Sequence, residues 1–349
     1  MSYTNGLDKP SDYFNTKLYT GNASTQAITG INFQSDMVWT KARSGTYGTQ
    51  DHAIIDVVRG VTKTIRPNET TTEGTETNTI TSFDTDGYTI GGDNGKFNQS
   101  STEYASWNWK ANGAGSANTD GSQSATVSVN TTAGFSIVKF VNVTTATANT
   151  FGHGLSVAPK VIIMRSLDSA YNWDVYHHKI AISKRLILNS NSAESSSTYM
   201  NSTSPTNEVF TVKSDEFANN DDCIAYCFND VQGYSKFGSY TGNGNADGPF
   251  CFTGFKPAFV LTKTASAAYH WSINDNKRNT FNPNDKRLYP STNGVEATAD
   301  AYDIDFLSNG FKIRSSSVSF NASGDNVIYM AFAENPFVTG ASAIPTTAR

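Results

Sequence analysis

Two adjacent histidines, His177 and His178, follow Asp174 and Tyr176 in this 349-residue chain. Imidazole and carboxylate together can hold a metal or relay a proton. Neighbouring side chains on an extended strand face opposite ways, so the pair is badly placed to grip one ion. Asp300, Asp303 and Asp305 could supply the two carboxylates of a glycosidase, which stand about 5–9.5 Å apart. They read instead as a solvated strand face ahead of a hairpin. Asp84-Thr85-Asp86-Gly87 opens like a calcium loop, but its twelfth position is Gly95 where a glutamate is required. Cys223 and Cys227 share one face of a strand, and the third cysteine, Cys251, offers no second pair for zinc. These thiols read as reduced and structural. No set is complete, so the sequence predicts no catalytic residue, no metal and no cofactor.

What remains is a candidate binding set: Trp173, Tyr176 and His177 in one segment, with Trp271, Asp275 and Arg278 in another. An exposed tryptophan can stack on a sugar ring, and Trp is enriched at interface hot spots. The competing reading is a tryptophan of the core. Asp56 with Arg59, and Asp275 with Arg278, repeat one acid–base spacing. They read as fold-stabilising, worth about 0–1 kcal/mol if exposed.

The elements that carry these residues recur. A strand ending in a base reads Phe33 to Lys41, then Val157 to Arg165, then Phe255 to Lys263. About ten residues on, Trp173-Asp174-Val175-Tyr176 matches Trp271-Ser272-Ile273-Asn274, and His52 to Asp56 matches more weakly. Short strands led by Lys63, Lys184 and Lys286 follow. Asp86-Gly87 and Asn309-Gly310, flanked by alternating apolar residues, signal hairpins whose central residues take φ > 0. The second segment lacks that glycine, so its turn should differ. Each segment closes on an apolar strand: Tyr104 to Trp109, Ile224 to Phe228, Ile328 to Phe332.

This pattern predicts an all-β protein of three tandem, pseudo-repeated antiparallel β-sandwich units of about 100 residues each. A single compact pseudo-threefold body is the other arrangement the pattern allows. The expected units span 1–110, 134–232 and 233–338. A Gly/Ser/Asn-rich flexible linker is expected at 111–133, and an extended tail at 339–349. Charged residues are only 16 % of the chain while aromatics reach 12 %, a balance that argues against disorder. The net charge of −5 and singly scattered Lys and Arg give no basic face for nucleic acid. No apolar run is long enough to insert in a membrane as a helix. The first residues lack the features of a secretory signal.

Several stretches carry a family likeness. Asp12 to Thr16 leading into Leu18 to Asn22, Phe135 to Phe140 and Gly152 to Lys160 are among them. Asn172 to His177, Ser235 to Gly244 and Ala331 to Phe337 are the others. Together they resemble a repeated β-domain of virion proteins from marine tailed bacteriophages. The resemblance implies a structural virion protein without catalytic residues, made in the host cytoplasm and carried on the particle. Relatives often bear an additional lectin-like sandwich, for which this length leaves no room. The leading expectation is a tail fibre or host-attachment protein acting by many weak contacts. Its partners would be other virion proteins, further copies of itself as a homotrimer, and a host-surface glycan or protein. The rivals are a capsid decoration or head fibre, and a host-glycan depolymerase.

Overall fold

The computed structural model describes residues 7–45, 47–298 and 303–337. Three large antiparallel sheets organise them. The first sets Phe14–Thr20, Glu103–Trp109, Met37–Ala42 and Ala53–Asp56 side by side. The third sets Ser235–Thr241, Asn326–Pro336, Phe255–Thr264 and Ser272–Asp275 in the same relative order. The second contains that order too, as Phe135–Val141, Asp222–Phe228, Val161–Ser166 and Asp174–His177. It extends to eight strands through additions at both edges. In every case the closing strand of the segment lies between its first strand and its base-ended one.

Period-2 geometry explains why these strands are apolar on both faces. On Met37–Ala42, Met37 and Trp39 point one way and Val38 the other. The Val38 face packs against a small sheet of Gln26–Ile28, Gly87–Ile90 and Ile80–Asp84, enclosing Ile55, Tyr88 and Phe97. The other large sheets carry equivalent outer cores, around Phe140, Phe151 and Phe210 in the second and around Phe306, Phe311 and Val327 in the third.

The inner faces of the three large sheets meet in one core rather than three. Trp109, Phe228 and Phe332 occupy the same register position, opposite Met37, Val161 and Phe259 respectively. Their ring centroids form a closed triangle of 6.4, 6.0 and 5.6 Å. Phe14 stacks on Phe332 at 5.0 Å, and Phe259 lies edge-on to Trp109 at 6.0 Å. Aromatic pairs at such spacings add about 0.5–1.5 kcal/mol each to what burial contributes.

The segment read as a flexible linker is ordered. Ser116–Asn118 and Ala125–Asn130 form a hairpin that pairs onto Phe135–Val141, widening the second sheet. The Ala111 N–H donates to Asp36 Oδ2 at 2.7 Å, tying the stretch to the first sheet. A hairpin at the border of a sheet needs only one apolar face, and Ala125 and Val127 supply it by packing into the second outer core. Low apolar content therefore did not mean disorder here. The expected tail at 339–349 lies outside the described residues.

Both glycine hairpins form, but φ is positive only at Gly87, where it is +131°. The need for glycine is close approach. A Cβ on Gly87 would stand 2.0 Å from the Ile28 carbonyl oxygen, and one on Gly310 would stand 2.1 Å from that of Cys251. In the second segment Val209–Lys213 pairs instead with Ala148–Gly152.

A shared core couples the three sheets energetically. Calorimetry should therefore show one unfolding transition, and Phe332→Ala should lower the whole transition at a cost of about 3–5 kcal/mol. Three resolved transitions, with only one moved by the substitution, would contradict a common core.

Candidate functional site

None of the six residues of the candidate binding set is on the surface. Trp173 is 0 % exposed, Trp271 2 %, His177 1 %, Asp275 0 %, Arg278 4 % and Tyr176 9 %. Tyr176 packs in the second outer core. The others line the seams between the three large sheets, because the strand next to each base-ended strand brings its side chains to a neighbouring sheet.

At the first seam position, the Trp173 indole donates to the Arg66 carbonyl at 2.8 Å and the Trp271 indole to the Ile187 carbonyl at 2.9 Å. His52 holds the corresponding place in the first sheet. Its Nδ1 accepts from the Trp39 indole at 3.0 Å, and an indole can only donate, so the proton resides on Nε2. That nitrogen donates to the Tyr289 carbonyl at 3.1 Å. Each bond joins a segment to the preceding one, and the last closes first to third.

A second set joins the same three pairs of segments. Tyr226 Oη donates to Asp56 Oδ2 at 2.7 Å, and Trp107 Nε1 to Asp275 Oδ2 at 3.1 Å. The third seam has Met330 where the others have Tyr226 and Trp107, and thioether cannot donate. There His177 replaces the aspartate. Its Nδ1 accepts from the Lys179 N–H, leaving Nε2–H to reach the Tyr329 carbonyl at 3.3 Å. A third set is made by the backbone alone: Glu73, Glu194 and Glu296 donate their N–H groups to the carbonyls of Leu167, Ala265 and Arg43, at 2.7, 2.7 and 3.0 Å.

The acid–base pairs belong to these seams. Asp56 Oδ1 accepts from the N–H groups of Val58 and Arg59, and its Oδ2 from Arg59 Nε at 2.5 Å. Asp275 repeats this with Lys277 and Arg278. The arginines continue to Glu73 at 3.0 Å and Glu296 at 3.3 Å, and Glu296 also takes a two-pronged bond from Arg43 at 2.9 Å. Burial corrects the small energy expected of exposed pairs. Removing one partner from a buried pair leaves an uncompensated charge, at about 3–5 kcal/mol. Burial pushes the Asp275 carboxyl up, yet the Arg278 charge and the hydrogen bonds from Arg278 and Trp107 outweigh it and hold the group below the usual range.

The base of each base-ended strand is also sealed in. Lys41, Arg165 and Lys263 are at most 1 % exposed. Lys41 Nζ donates to the carbonyls of Ala42 and Gly48, and Arg165 crosses a seam to those of Glu69, Thr70 and Thr71. Burial brings Lys41 down to about 7.

The other motifs are accounted for locally. Asp84 accepts from Ser82 and Thr89, and Asp86 from the N–H groups of Gly30 and Asn32, so this turn fastens its hairpin. His178 points away from His177, to the Phe237 carbonyl at 3.0 Å. Asp305 lies 3.3 Å from Arg314, and Asp303 joins them around a shallow recess; Asp300 is outside the described residues. Cys223 and Cys227 are unbridged in the second outer core. No group of three His, Cys, Asp or Glu side chains able to hold a metal occurs among the described residues.

A protein-family model for a domain of unknown function, DUF7483, matches residues 9–336. The chain belongs to the DUF7483 family. No curated protein and no solved structure matches it. In this DUF7483 chain, sequence reasoning found the seam tryptophans and the Asp–Arg pairs, offering them as a candidate binding set beside the readings of core tryptophan and fold-stabilising pair, and burial favours the latter readings. It missed Tyr226, Trp107 and the three glutamates. The glutamates had a signal: each falls ten residues beyond the lysine that opens its short strand, at Lys63, Lys184 and Lys286.

Neutral seam histidines make stability depend on pH. Burial holds His177 down at about 3 and His52 well below its usual value. The unfolded chain takes up these protons near pH ~6.5 while the folded chain refuses them. Stability should hold above neutrality and fall as pH drops below ~6.5. His177→Gln keeps a donor and an acceptor, and should remove one proton's share of that slope, about 1.4 kcal/mol per pH unit. Thermal midpoints between pH 7.5 and 4.5 test this, and an unchanged slope in the variant would count against it. Asp275→Ala, which strands Arg278, should cost about 3–5 kcal/mol, whereas Trp107→Phe should cost about 1–3 kcal/mol by leaving one lone pair unmet.

Proposed function

We propose that this chain is a non-catalytic structural protein of a tailed-phage particle, acting as a rigid host-attachment or tail-fibre module. One observation carries the reading: the residues best suited to chemistry are spent on holding three sheets together. Trp173, Trp271, His52 and His177 bond across seams, both Asp–Arg pairs take a bond across one through Asp56 and Asp275, and all of them are buried. Such a body suits a part that must present a fixed surface and survive outside a cell.

The finer architecture belongs to the same proposal. Three modules of about 100 residues, descended from one unit, close head to tail into a pseudo-threefold body. The common strand order, the shared register of Trp109, Phe228 and Phe332, and three bond sets that each join all three pairs of segments support it. Single weak contacts on such modules gain strength when several act together, and assembly as a homotrimer would multiply them again.

Labelled antibody against the chain should decorate the tail of intact particles, and the purified chain should compete with particles for host cells. Decoration of the head alone would favour a capsid role. Release of new reducing ends from host-surface polysaccharide would replace the reading with a depolymerase. Mass photometry should find a trimer, and a monomer at micromolar concentration would remove that element.

A further inference from the structure

Each small sheet has an outermost strand with one edge left over, and the three segments treat that edge differently. In the third segment the strand is Phe250–Phe252, which pairs on one side only, with Gly310–Ile313. Pro249 accepts from the Ile313 N–H, and Thr253 donates to the Asn309 carbonyl, both at 3.0 Å. Bonded and non-bonded pairs alternate along an antiparallel ladder, so the N–H and C=O groups of Phe250 and Phe252 point outward. Among the described residues no hydrogen bond reaches them. Both side chains are exposed, at 45 % and 60 %, while Cys251 between them is buried.

The second segment shows what such an edge accepts. Its matching strand is Ala148–Gly152, where the His153 N–H bonds the Glu208 carbonyl as that of Thr253 bonds Asn309. Thr150 therefore stands at the place of Phe250, and Gly152 at that of Phe252. Residues 122–123 of the same chain lie along this edge. The Gln123 N–H donates to the Thr150 carbonyl at 3.2 Å, and the Thr150 N–H donates to Ser122 Oγ at 2.9 Å. Both outward groups of Thr150 are thus taken by a stretch that runs parallel to the strand. In the first segment the two places belong to Ala27 and Thr29. Of the three, only the third segment sets two large apolar side chains beside open main-chain groups. Proteins normally cover such an edge or blunt it with charge, so a bare apolar one calls for an occupant.

We propose that the Phe250–Phe252 edge takes an added strand, an extended segment of a partner protein with apolar side chains at alternate positions. It runs parallel, as Ser122 and Gln123 do beside Thr150, and its main chain bonds the outward groups of both phenylalanines. Its apolar side chains pack on the two rings. At the Phe252 end, a cavity of about 360 Å³ lined also by Leu7, Pro336 and Phe337 receives one large apolar side chain. Area decides against a second folded copy as the occupant. The two rings leave roughly 200 Å² uncovered, against about 800 Å² per partner in a stable interface. A single strand gains its hold from main-chain bonds instead. The edge stands apart from the particle assignment, because binding is read on the isolated chain.

Fluorescence polarisation of the full chain with the labelled, end-blocked peptide Lys-Thr-Val-Thr-Phe-Thr-Lys tests it. The peptide should bind saturably below millimolar concentration. Proline in place of its central threonine removes a main-chain donor and should weaken binding by roughly tenfold or more. Phe250→Thr combined with Phe252→Thr changes two exposed side chains. It should leave the thermal midpoint unchanged and weaken binding by roughly tenfold or more. In the unsubstituted chain the peptide should slow amide exchange at Phe250 and Phe252 by roughly tenfold and leave Ala27 unchanged. No binding at millimolar concentration, equal binding of the proline peptide, equal binding by the double variant, or slowed exchange only elsewhere would each overturn the proposal. So would amides at Phe250 and Phe252 already slow in the free chain, which would give the edge to the chain's own residues. Slowing that grows with chain concentration would give it to a second copy and overturn the proposal equally.

Discussion

Three sheets that are apolar on both faces must find cover twice. Small sheets and loops cover the outer faces within each segment. The inner faces have only one another, and they meet at Trp109, Phe228 and Phe332. That closure dictates the rest. It drives strand ends, with their polar side chains and backbone groups, into seams where water is excluded and an unpaired donor is costly.

The seams answer with bonds that cross from one segment to the next. Where a strand offers a donor such as Tyr226 or Trp107, the facing strand offers Asp56 or Asp275. Where Met330 offers none, a neutral histidine turns to the backbone instead. The exchange of aspartate for histidine, odd in the sequence, follows from which groups can donate. The buried aspartates are tolerable only because Arg59 and Arg278 neutralise them, and those arginines in turn reach Glu73 and Glu296. A polar network of this sort specifies one arrangement of the sheets, since any other leaves a charge unmet.

Much of this was legible in the sequence. The hairpins at Asp86-Gly87 and Asn309-Gly310, the base-ended strands and the apolar closing strands all lie where the pattern placed them. Local periodicity is enough for such elements. The stretch 111–133 was misread because an edge hairpin of Ala, Ser, Thr and Val carries little apolar signal. The candidate site was half legible: the recurring Trp and Asp–Arg positions stood out, but recurrence says only that a residue matters to every segment. A residue needed at the same place in all segments serves what they share, which is their packing.

The sequence alone determined strand content, turn positions and the spacing at which acids, bases and tryptophans recur, because those depend on neighbours a few residues apart. Which face each residue presents, and to whom, was decided by tertiary structure. Trp173 finds its acceptor at Arg66 and Trp107 at Asp275, over a hundred positions away along the chain. No local pattern encodes such distances. Closure of three sheets on one core turned would-be surface chemistry into internal joinery.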